Sequence, residues 1–537
     1  MHTKATVSAN SVNQGNRHYI TKGTILIIGM LLVILFTHLV FTNSIPAGLY
    51  IDETSIGYNA ALISSTGADE YGNRLPIYFK SVGDYKNAPF IYATAIIFKL
   101  FGVSEFNLRL TSFIFFGIAL AFTYILTIQI FPNSNPIKIY LLLSFGFLPS
   151  FFTVSRIAFE VITQLSWISG FLLLIWNNFH QENASKYENL KAIACGIVLG
   201  TSIYTYSTAR LLTFLTFFAM WGIYISKNNL RKLVLISSAF LVGLLPFIMF
   251  IVRQPGAITS RFSKLTYVNA LIPIQEKFSI FIQNYLTYLS PNYLLLHGDS
   301  NFRHATGHGG AIYFSVSVLF FAGLAQVAFK EKSRQFYFFL LINLIFSPIA
   351  ASLTSEGVPH SLRSILLGYY VLLISCYGLY RISKIQHQTV RRYLLIGITI
   401  LFAIEVINYQ IDYFFNYPAR SIDAMASFGF KESLQFALDQ KPDKIIFLNE
   451  PYVTYPNILF YSLLVSNPNK IQITANDDPK YEPGTCIIYH QSNESLTLQS
   501  SFPYTEYKYI KTDSEPIWGR KGAELQGVIK VKCYHPR

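Results

Sequence analysis

Two adjacent carboxylates, Asp52 and Glu53, stand just beyond the first long apolar run, in the stretch Gly48-Leu-Tyr-Ile-Asp-Glu-Thr-Ser-Ile-Gly57. Acidic side chains are costly near hydrocarbon, so a pair of them beside a membrane segment points to a function. A carboxylate in this position can accept a proton from an attacking hydroxyl. The alternative is a helix cap, because Asp followed by Glu and Thr also stabilises a helix N-terminus.

Basic side chains gather on the same predicted face. Arg presents a planar fork that matches phosphate oxygens, and Lys adds a point charge, so this set predicts a phosphate-binding surface. Each member could instead extend to lipid headgroups or pair with an acid. The sequence has no glycine-rich phosphate loop and no Rossmann fingerprint, which argues against a soluble nucleotide donor. The predicted cations are Lys86, Arg109, Arg156, Arg210, Arg303 and Arg363.

Other polar side chains on this face are candidates for a substrate pocket. They are Asp84, Glu160, Tyr206, His297, Asp299, His304 and His360. His297, Asp299 and His304 have the ligand types of a divalent metal site. Because a loop histidine is more often a hydrogen-bonding residue, no metal is assigned, and the predicted chemistry requires no cofactor.

The elements that must position these residues are membrane helices. Of 537 residues, 52% are hydrophobic and 13% charged, with 46 Phe and 36 Tyr, which is typical of a polytopic membrane protein with aromatic interfacial belts. The net charge of +14 accompanies no basic tract or zinc spacing, so nucleic acid is not a predicted partner. About eleven apolar runs predict spans: 24–42, 108–131, 137–152, 161–179, 190–206, 211–225, 233–252, 312–329, 336–353, 362–380 and 393–411.

The distribution of Lys and Arg predicts the orientation. The short basic loops 227–232, 330–334 and 381–392 belong in the cytoplasm by the positive-inside rule, and the N-terminus with them. An odd number of spans then places the end of the chain outside. The predicted organisation, in the plasma (inner) membrane, is a cytoplasmic tail (1–22), a transmembrane module (23–412) with outer loops 43–107 and 253–311, and an extracytoplasmic domain (413–537).

The C-terminal domain alternates predicted helices (431–440, 457–465) and strands (444–448, 486–489, 528–534), which indicates a small α/β unit. Cys486 opens one strand and Cys533 lies near the end of another, so a disulfide between them is sterically feasible outside the cytoplasm. Two buried free thiols are the alternative. Cys195 and Cys376 lie inside apolar runs and are predicted to be packing residues.

The first outer loop resembles that of GT-C glycosyltransferases. After the first span and Ile51-Asp-Glu53 come Tyr85-Lys-Asn-Ala-Pro-Phe-Ile-Tyr92, Lys99-Leu-Phe-Gly102 and Phe106-Asn-Leu-Arg-Leu110. The pattern is most similar to bacterial members of glycosyltransferase family 39, which includes protein O-mannosyltransferases and the aminoarabinose transferases of lipid A. The resemblance implies that Asp52 is the catalytic base, with Glu53 beside it, and that Lys86 contacts the donor phosphate. Asn87-Ala-Pro stands where that pattern has Pro-Pro.

We therefore expect a mainly α-helical, GT-C-like bundle with a small α/β domain. It would transfer a sugar, with inversion, from a polyprenyl-phosphate donor to an extracytoplasmic hydroxyl on a protein, lipid or glycan. A transporter or flippase of lipid-linked sugars is the alternative, but it would require discontinuous helices in two related halves, and the sequence has no such symmetry. A structural or sensing membrane protein would leave the outer charge cluster unexplained.

Overall fold

The computed structural model describes residues 22–181, 187–257, 259–325, 334–448, 455–465, 482–491, 503–511 and 525–535. Residues 1–21 of the predicted tail and most of the basic loop 330–334 lie outside these ranges. The helices are α1 (Lys22–Leu39), α2 (Ile51–Thr66), α3 (Ala88–Phe101), α4 (Glu105–Ile130), α5 (Asn135–Phe147), α6 (Pro149–Phe152), α7 (Val161–Phe179), α8 (Glu188–Thr201), α9 (Ala209–Tyr224), α10 (Leu230–Arg253), α11 (Ser260–Leu265), α12 (Ile274–Leu289), α13 (Phe314–Leu324), α14 (Arg334–Phe346), α15 (Ile349–Ser352), α16 (Ile365–Ser383), α17 (Gln388–Phe415), α18 (Tyr417–Met425), α19 (Phe430–Asp439) and α20 (Tyr455–Leu464). The strands are β1 (Tyr78–Ser81), β2 (Asp84–Asn87), β3 (Lys444–Phe447), β4 (Thr485–His490), β5 (Tyr504–Lys511) and β6 (Leu525–Tyr534).

The helices form a multi-pass membrane bundle, as predicted. In the described ranges, five helical segments are long and apolar enough to cross a bilayer. Four are the single helices α4, α10, α16 and α17, and the fifth is α14 continued by α15. A sixth results if α5 and the segment after it, bent by 55°, count as one span. Each of the eleven apolar runs contains a helix, but the apolar helical segments of α1, α9 and α13 are only 10–17 residues long. The runs 137–152, 190–206 and 336–353 are longer than α5, α8 and α14, because their apolar residues continue past the helix end into a break or a tighter turn, which membrane proteins tolerate where it is buried in protein.

Small residues set the tightest helix contacts in the bundle. A Cβ atom on Gly200 of α8 would lie 2.5 Å from the carbonyl oxygen of Phe240 on α10. A Cβ atom on Gly378 of α16 would lie 1.8 Å from the carbonyl oxygen of Leu319 on α13. Such positions let two backbones approach closely, which drives helix association in lipid. Most side chains of α16 are buried, so this helix occupies the centre of the bundle.

The first outer loop is folded into three elements ahead of α4. Helix α2 follows α1, the antiparallel hairpin β1–β2 comes next, and α3 follows directly. The stretch Pro89–Phe101 is apolar but too short to span a bilayer, which predicts a helix along the interface where α3 lies. The residues Ile56–Ile63 indicate α2, but the sequence does not predict the hairpin. The hairpin carries Lys86 on β2, opposite Phe79 on β1.

The C-terminal domain contains a four-stranded sheet in the order β3-β4-β6-β5. Strand β3 runs parallel to β4, and the other pairs are antiparallel. Each predicted helix and strand of this domain is present within a few residues; α18 and β5 were not predicted. Cys486 and Cys533 are directly opposite on β4 and β6 and are joined by a disulfide. Cys195 and Cys376 are buried free thiols.

Candidate active site

Asp52 and Lys86 form an ion pair at the N-terminus of α2. Asp52 lies in the first helical turn, and Lys86 reaches it from β2. The side chain of Asp52 is 31% exposed and that of Lys86 9%. Burial alone would raise the pKa of Asp52, but the charge and hydrogen bond of Lys86, helped by Arg261, lower it. Asp52 is therefore a carboxylate that is paired in this state and faces solvent.

Glu160, which precedes α7, binds Asn87, the residue that follows Lys86. Its carboxylate accepts one hydrogen bond from the Asn87 backbone N–H and one from the Asn87 amide, both at 2.6 Å. Burial raises the pKa of Glu160 to about 7, although Lys86 and Asn87 oppose the shift. Burial lowers the pKa of Lys86, but the charges of Asp52, Glu160 and Asp84 outweigh that effect and raise it. Lys86 is therefore a permanent cation next to a carboxyl that titrates near neutrality.

This pair opens into a cavity of about 710 Å³. Four arginines line it, three of which were predicted: Arg210, Arg261, Arg303 and Arg363. Apolar side chains from α10, α11 and the segment between α15 and α16 complete part of the lining, including Phe247, Ile251, Phe262, Leu265, Leu353 and Leu362. The cavity thus combines a concentration of positive charge with an apolar surface, which suits a phosphate attached to a hydrocarbon chain.

The arginines are oriented by the protein. The guanidinium of Arg303 stacks on the ring of Tyr50, 4.4 Å from its centre, while its Nε donates to Asn301. Arg210 lies 5.5 Å from the centre of the Tyr78 ring. Arg261 forms an ion pair of 3.3 Å with Asp84. Stacking of this kind is worth about 0.5–2 kcal/mol and keeps the planar fork in one orientation.

Most of the predicted site residues line this cavity. Those in its wall are Asp52, Asp84, Lys86, Glu160, Tyr206, Arg210, Arg303, His304, His360 and Arg363. Five other predicted site residues do not line the cavity, because their side chains contact other parts of the protein: Glu53, Arg109, Arg156, His297 and Asp299.

Glu53 and Arg109 form a buried ion pair, and this corrects their predicted roles. The Glu53 carboxylate receives Arg109 Nε at 3.0 Å and Nη2 at 3.1 Å, together with the backbone N–H groups of Tyr50 and Ala158. Arg109 also donates to the carbonyl oxygens of Thr42, Pro46 and Gly48. Both side chains are at most 1% exposed. They hold the segment before α2 against α4 and do not contact the cavity.

Arg156 is also structural. It donates to the carbonyl oxygens of Thr37 and Val40 at the end of α1, and to the hydroxyl of Tyr413 on α17. These contacts use its donors to satisfy carbonyl groups that a helix leaves unpaired at its C-terminus. Arg156 is fully buried, so it joins α1 to α17 and does not bind phosphate in this state.

The histidines are arranged differently from the predicted trio. His297 contacts Asn292 across a turn. Asp299 pairs with His304 at 2.8 Å, and His304 stacks on His360 with ring centres 4.5 Å apart. The ligand atoms of these last three side chains all lie within 4.8 Å of one another. Burial lowers the pKa of His360, helped by His304 and Arg363, so its imidazole is neutral. The set best suited to a cation is therefore Asp299, His304 and His360.

Arg261 and Asn87 line the cavity and make polar contacts there, but neither was predicted as a site residue. Arg261 lies on α11, within the predicted outer loop 253–311 and with no motif around it, so the only signal is its position on the outer face. Asn87 is the residue that interrupts the Pro-Pro pattern. Its backbone N–H, which proline lacks, is what Glu160 binds.

The architecture is that of the GT-C fold. No protein-family model and no curated protein sequence matches the chain. ArnT from Cupriavidus metallidurans in the apo state superimposes with a TM-score of 0.59 and 13% identity, over 95% of this chain and 98% of that one. The same protein bound to undecaprenyl phosphate gives a TM-score of 0.58 and 12% identity, over the same shares of the two chains. At this identity the likeness shows the fold alone, so membership of family 39 stays a prediction.

Proposed function

We propose that the protein is a membrane glycosyltransferase that moves a sugar from a polyprenyl-phosphate donor to an acceptor hydroxyl. The observation that carries this proposal is the Asp52–Lys86 pair opening into a cavity lined by four arginines and apolar side chains. The cations suit a phosphate and the apolar wall suits a lipid. ArnT, which has the same fold, is known with undecaprenyl phosphate bound, and this supports the donor class.

In the mechanism we infer, the donor phosphate first replaces Asp52 as the partner of Lys86. Loss of that cation raises the pKa of Asp52 and makes it a better base. Asp52 then accepts the proton of the acceptor hydroxyl while the oxygen attacks the anomeric carbon. The bond from that carbon to the phosphate oxygen breaks, and Lys86 with the arginines stabilises the departing anion. A single displacement of this kind inverts the anomeric configuration.

We also propose that the acceptor is extracytoplasmic, in line with the orientation that the basic loops predict for the inner membrane. The acceptor could be a protein, lipid or glycan hydroxyl. Lys86 and the arginines provide the positive charge that phosphate departure requires, so the chemical step needs no metal in this proposal. Asp299, His304 and His360 are the residues that would hold a divalent cation, and they would do so without using Asp52.

The test is a transfer assay with purified protein in lipid nanodiscs. The donors are undecaprenyl-phosphate hexoses and pentoses of defined sugar, supplied with an extract of cell-envelope acceptors, before and after treatment with EDTA. We expect release of undecaprenyl phosphate in step with sugar transfer, unchanged by EDTA. Movement of the intact donor across a bilayer without release would instead establish a flippase. Activity lost on chelation and restored by one cation would overturn the metal-independent step alone.

A further inference from the structure

The C-terminal domain makes direct polar contacts with the segment that carries Asp52. The hydroxyl of Ser427 accepts the backbone N–H of Leu49 at 2.8 Å and donates to the carbonyl oxygen of the same residue at 2.5 Å. Ser427 and Leu49 are each 1% exposed. One side chain of the domain therefore satisfies both backbone groups of a residue that lies three positions before Asp52.

A second contact reaches α2 itself. The hydroxyl of Thr54 donates to Oδ1 of Asn457 on α20 at 2.6 Å, and both side chains are buried. Thr54 lies two residues after Asp52. The domain therefore forms hydrogen bonds with the chain on both sides of the proposed base.

A third contact reaches the hairpin that carries Lys86. The hydroxyl of Tyr455, at the start of α20, accepts the backbone N–H of Val82 at 2.9 Å and lies 3.1 Å from Ser81 Oγ. Ser81 Oγ also accepts the hydroxyl of Ser55 on α2, at 2.8 Å. Hydrogen bonds between the hydroxyl groups of Ser55, Ser81 and Tyr455 therefore connect α2, the hairpin and the C-terminal domain.

Two glycines show how closely these surfaces approach. A Cβ atom on Gly48 would lie 2.7 Å from the backbone nitrogen of Phe428, and one on Gly57 would lie 2.5 Å from the ring of Phe460. Gly48 also has a φ of +84°, which residues with a side chain rarely adopt. The two glycines stand at the two ends of the stretch that contains Asp52, so both ends of that stretch pack closely against the C-terminal domain.

We propose that the C-terminal domain is a positioning element for the active site: Ser427, Asn457 and Tyr455 set the location of Asp52 and Lys86 without touching substrate. The assignment of a catalytic task to Asp52 and Lys86 rests on the proposed function. The claim that the domain fixes the location of these two residues does not. A base must be held close to its productive geometry, and a misplacement of about 1 Å can reduce turnover by roughly 10²-fold.

The test measures amide hydrogen exchange in the full-length protein in nanodiscs. The variants are Ser427→Ala, which removes both contacts to Leu49, and Thr54→Val, which keeps the shape of the side chain. The matched control is Ser433→Ala, because Ser433 is equally buried but bonds to the carbonyl oxygen of Ile529 within the domain, 3.1 Å away. We expect exchange in residues 47–57 to rise roughly tenfold in the first two variants and to stay at the wild-type rate in the control.

A rescue experiment tests whether packing against the domain acts in the same way. Gly57→Ala should accelerate exchange over the same residues, because the added methyl meets the ring of Phe460. Adding Phe460→Leu makes room for that methyl, and we expect it to restore much of the protection. The inference is overturned if Ser427→Ala and Thr54→Val exchange no faster over 47–57 than Ser433→Ala, or if Phe460→Leu gives no rescue.

Turnover measurements distinguish a failure of this inference from a failure of the proposed function. If the protein transfers sugar, Ser427→Ala and Thr54→Val should lower kcat by roughly 10- to 100-fold and leave the KM for the donor close to wild type. Thr54→Ser, which retains the hydroxyl, should recover most of that loss. If wild-type protein transfers no sugar, the proposed function fails and the exchange data still decide the positioning role.

Discussion

Asp52 and Glu53 are consecutive in the chain, yet their carboxylates have different partners in different surroundings. Asp52 pairs with Lys86 at the cavity and is 31% exposed, whereas Glu53 pairs with Arg109 and is fully buried. The two residues lie in the first turn of α2, where successive side chains point about 100° apart. That rotation directs the carboxylate of Asp52 to the cavity and the carboxylate of Glu53 into the protein interior.

For Asp52 we predict a chemical defect. Asp52→Asn should reduce turnover by roughly 10²–10⁴-fold, the usual effect of losing a general base. Because the lowered pKa of Asp52 means that its ion pair with Lys86 stabilises the fold, the melting temperature should fall, but by less than for the fully buried Glu53. The measurement is single-turnover transfer at saturating donor. Turnover equal to wild type would remove Asp52 from the mechanism.

For Glu53 we predict a folding defect. Glu53→Gln leaves the buried guanidinium of Arg109 without a counter-charge, and breaking a buried pair in this way typically costs about 3–5 kcal/mol. Thermal unfolding in detergent should show a clear loss of stability relative to Asp52→Asn. A variant that melts like wild type but turns over slowly would instead place Glu53 in the chemistry.

For Lys86 we predict a defect in donor binding. Lys86→Ala removes a charge-assisted contact with phosphate, so affinity for undecaprenyl phosphate should weaken by about 1.5–3 kcal/mol. Lys80→Ala is the matched control, because Lys80 lies on the same hairpin and is exposed. Equal affinities in the two variants would mean that Lys86 serves only to hold Asp52.

For Glu160 we predict a pH effect. Its pKa is raised to about 7, so the carboxyl is neutral below that pH and charged above it. Once charged, it competes with the donor phosphate for Lys86, so donor affinity should be highest below pH 7 and fall above it. The fall is about tenfold if the bound phosphate raises the pKa of Glu160 by one unit.

The measurement for Glu160 uses a sugar phosphodiester donor, whose charge is constant over this range. In Glu160→Gln, which is uncharged at every pH, affinity should vary little between pH 6 and 8. If wild type and variant show the same pH profile, the titrating group is another one.

For Cys486 and Cys533 we predict resistance to thiol labelling. Their disulfide closes a loop with a sequence separation of 47, which stabilises the domain by on the order of 4 kcal/mol in the chain-entropy model. Both thiols should react in denatured protein only after reduction. Both cysteines are buried, so the side of the membrane is tested at an exposed position of the same domain: in intact cells an impermeant thiol reagent should label Tyr504→Cys, because the domain is proposed to be outside. Failure of that second labelling would reverse the orientation.

The sequence by itself predicted the features that depend on local patterns. Apolar runs indicated the membrane bundle, and alternating segments indicated the α/β domain with Cys486 and Cys533 on its strands. The motifs after the first span resemble those of GT-C glycosyltransferases, and that fold is confirmed, whereas the roles of Asp52 and Lys86 stay predictions. The predictions of the bundle and of the α/β domain succeeded because burial of a helix or strand imposes a periodic pattern on neighbouring residues.

Only the tertiary structure decided which charged groups are buried and what they bind. Arg109 and Arg156 look like Arg303 in the sequence, but they are enclosed and bonded to carbonyl groups some 60 or more residues away, whereas Arg303 faces the cavity. The contacts of Ser427 and Asn457 with residues near Asp52 join positions that are far apart in the chain. Desolvation and hydrogen bonding depend on such non-local neighbours, and a single sequence contains no periodic signal for them.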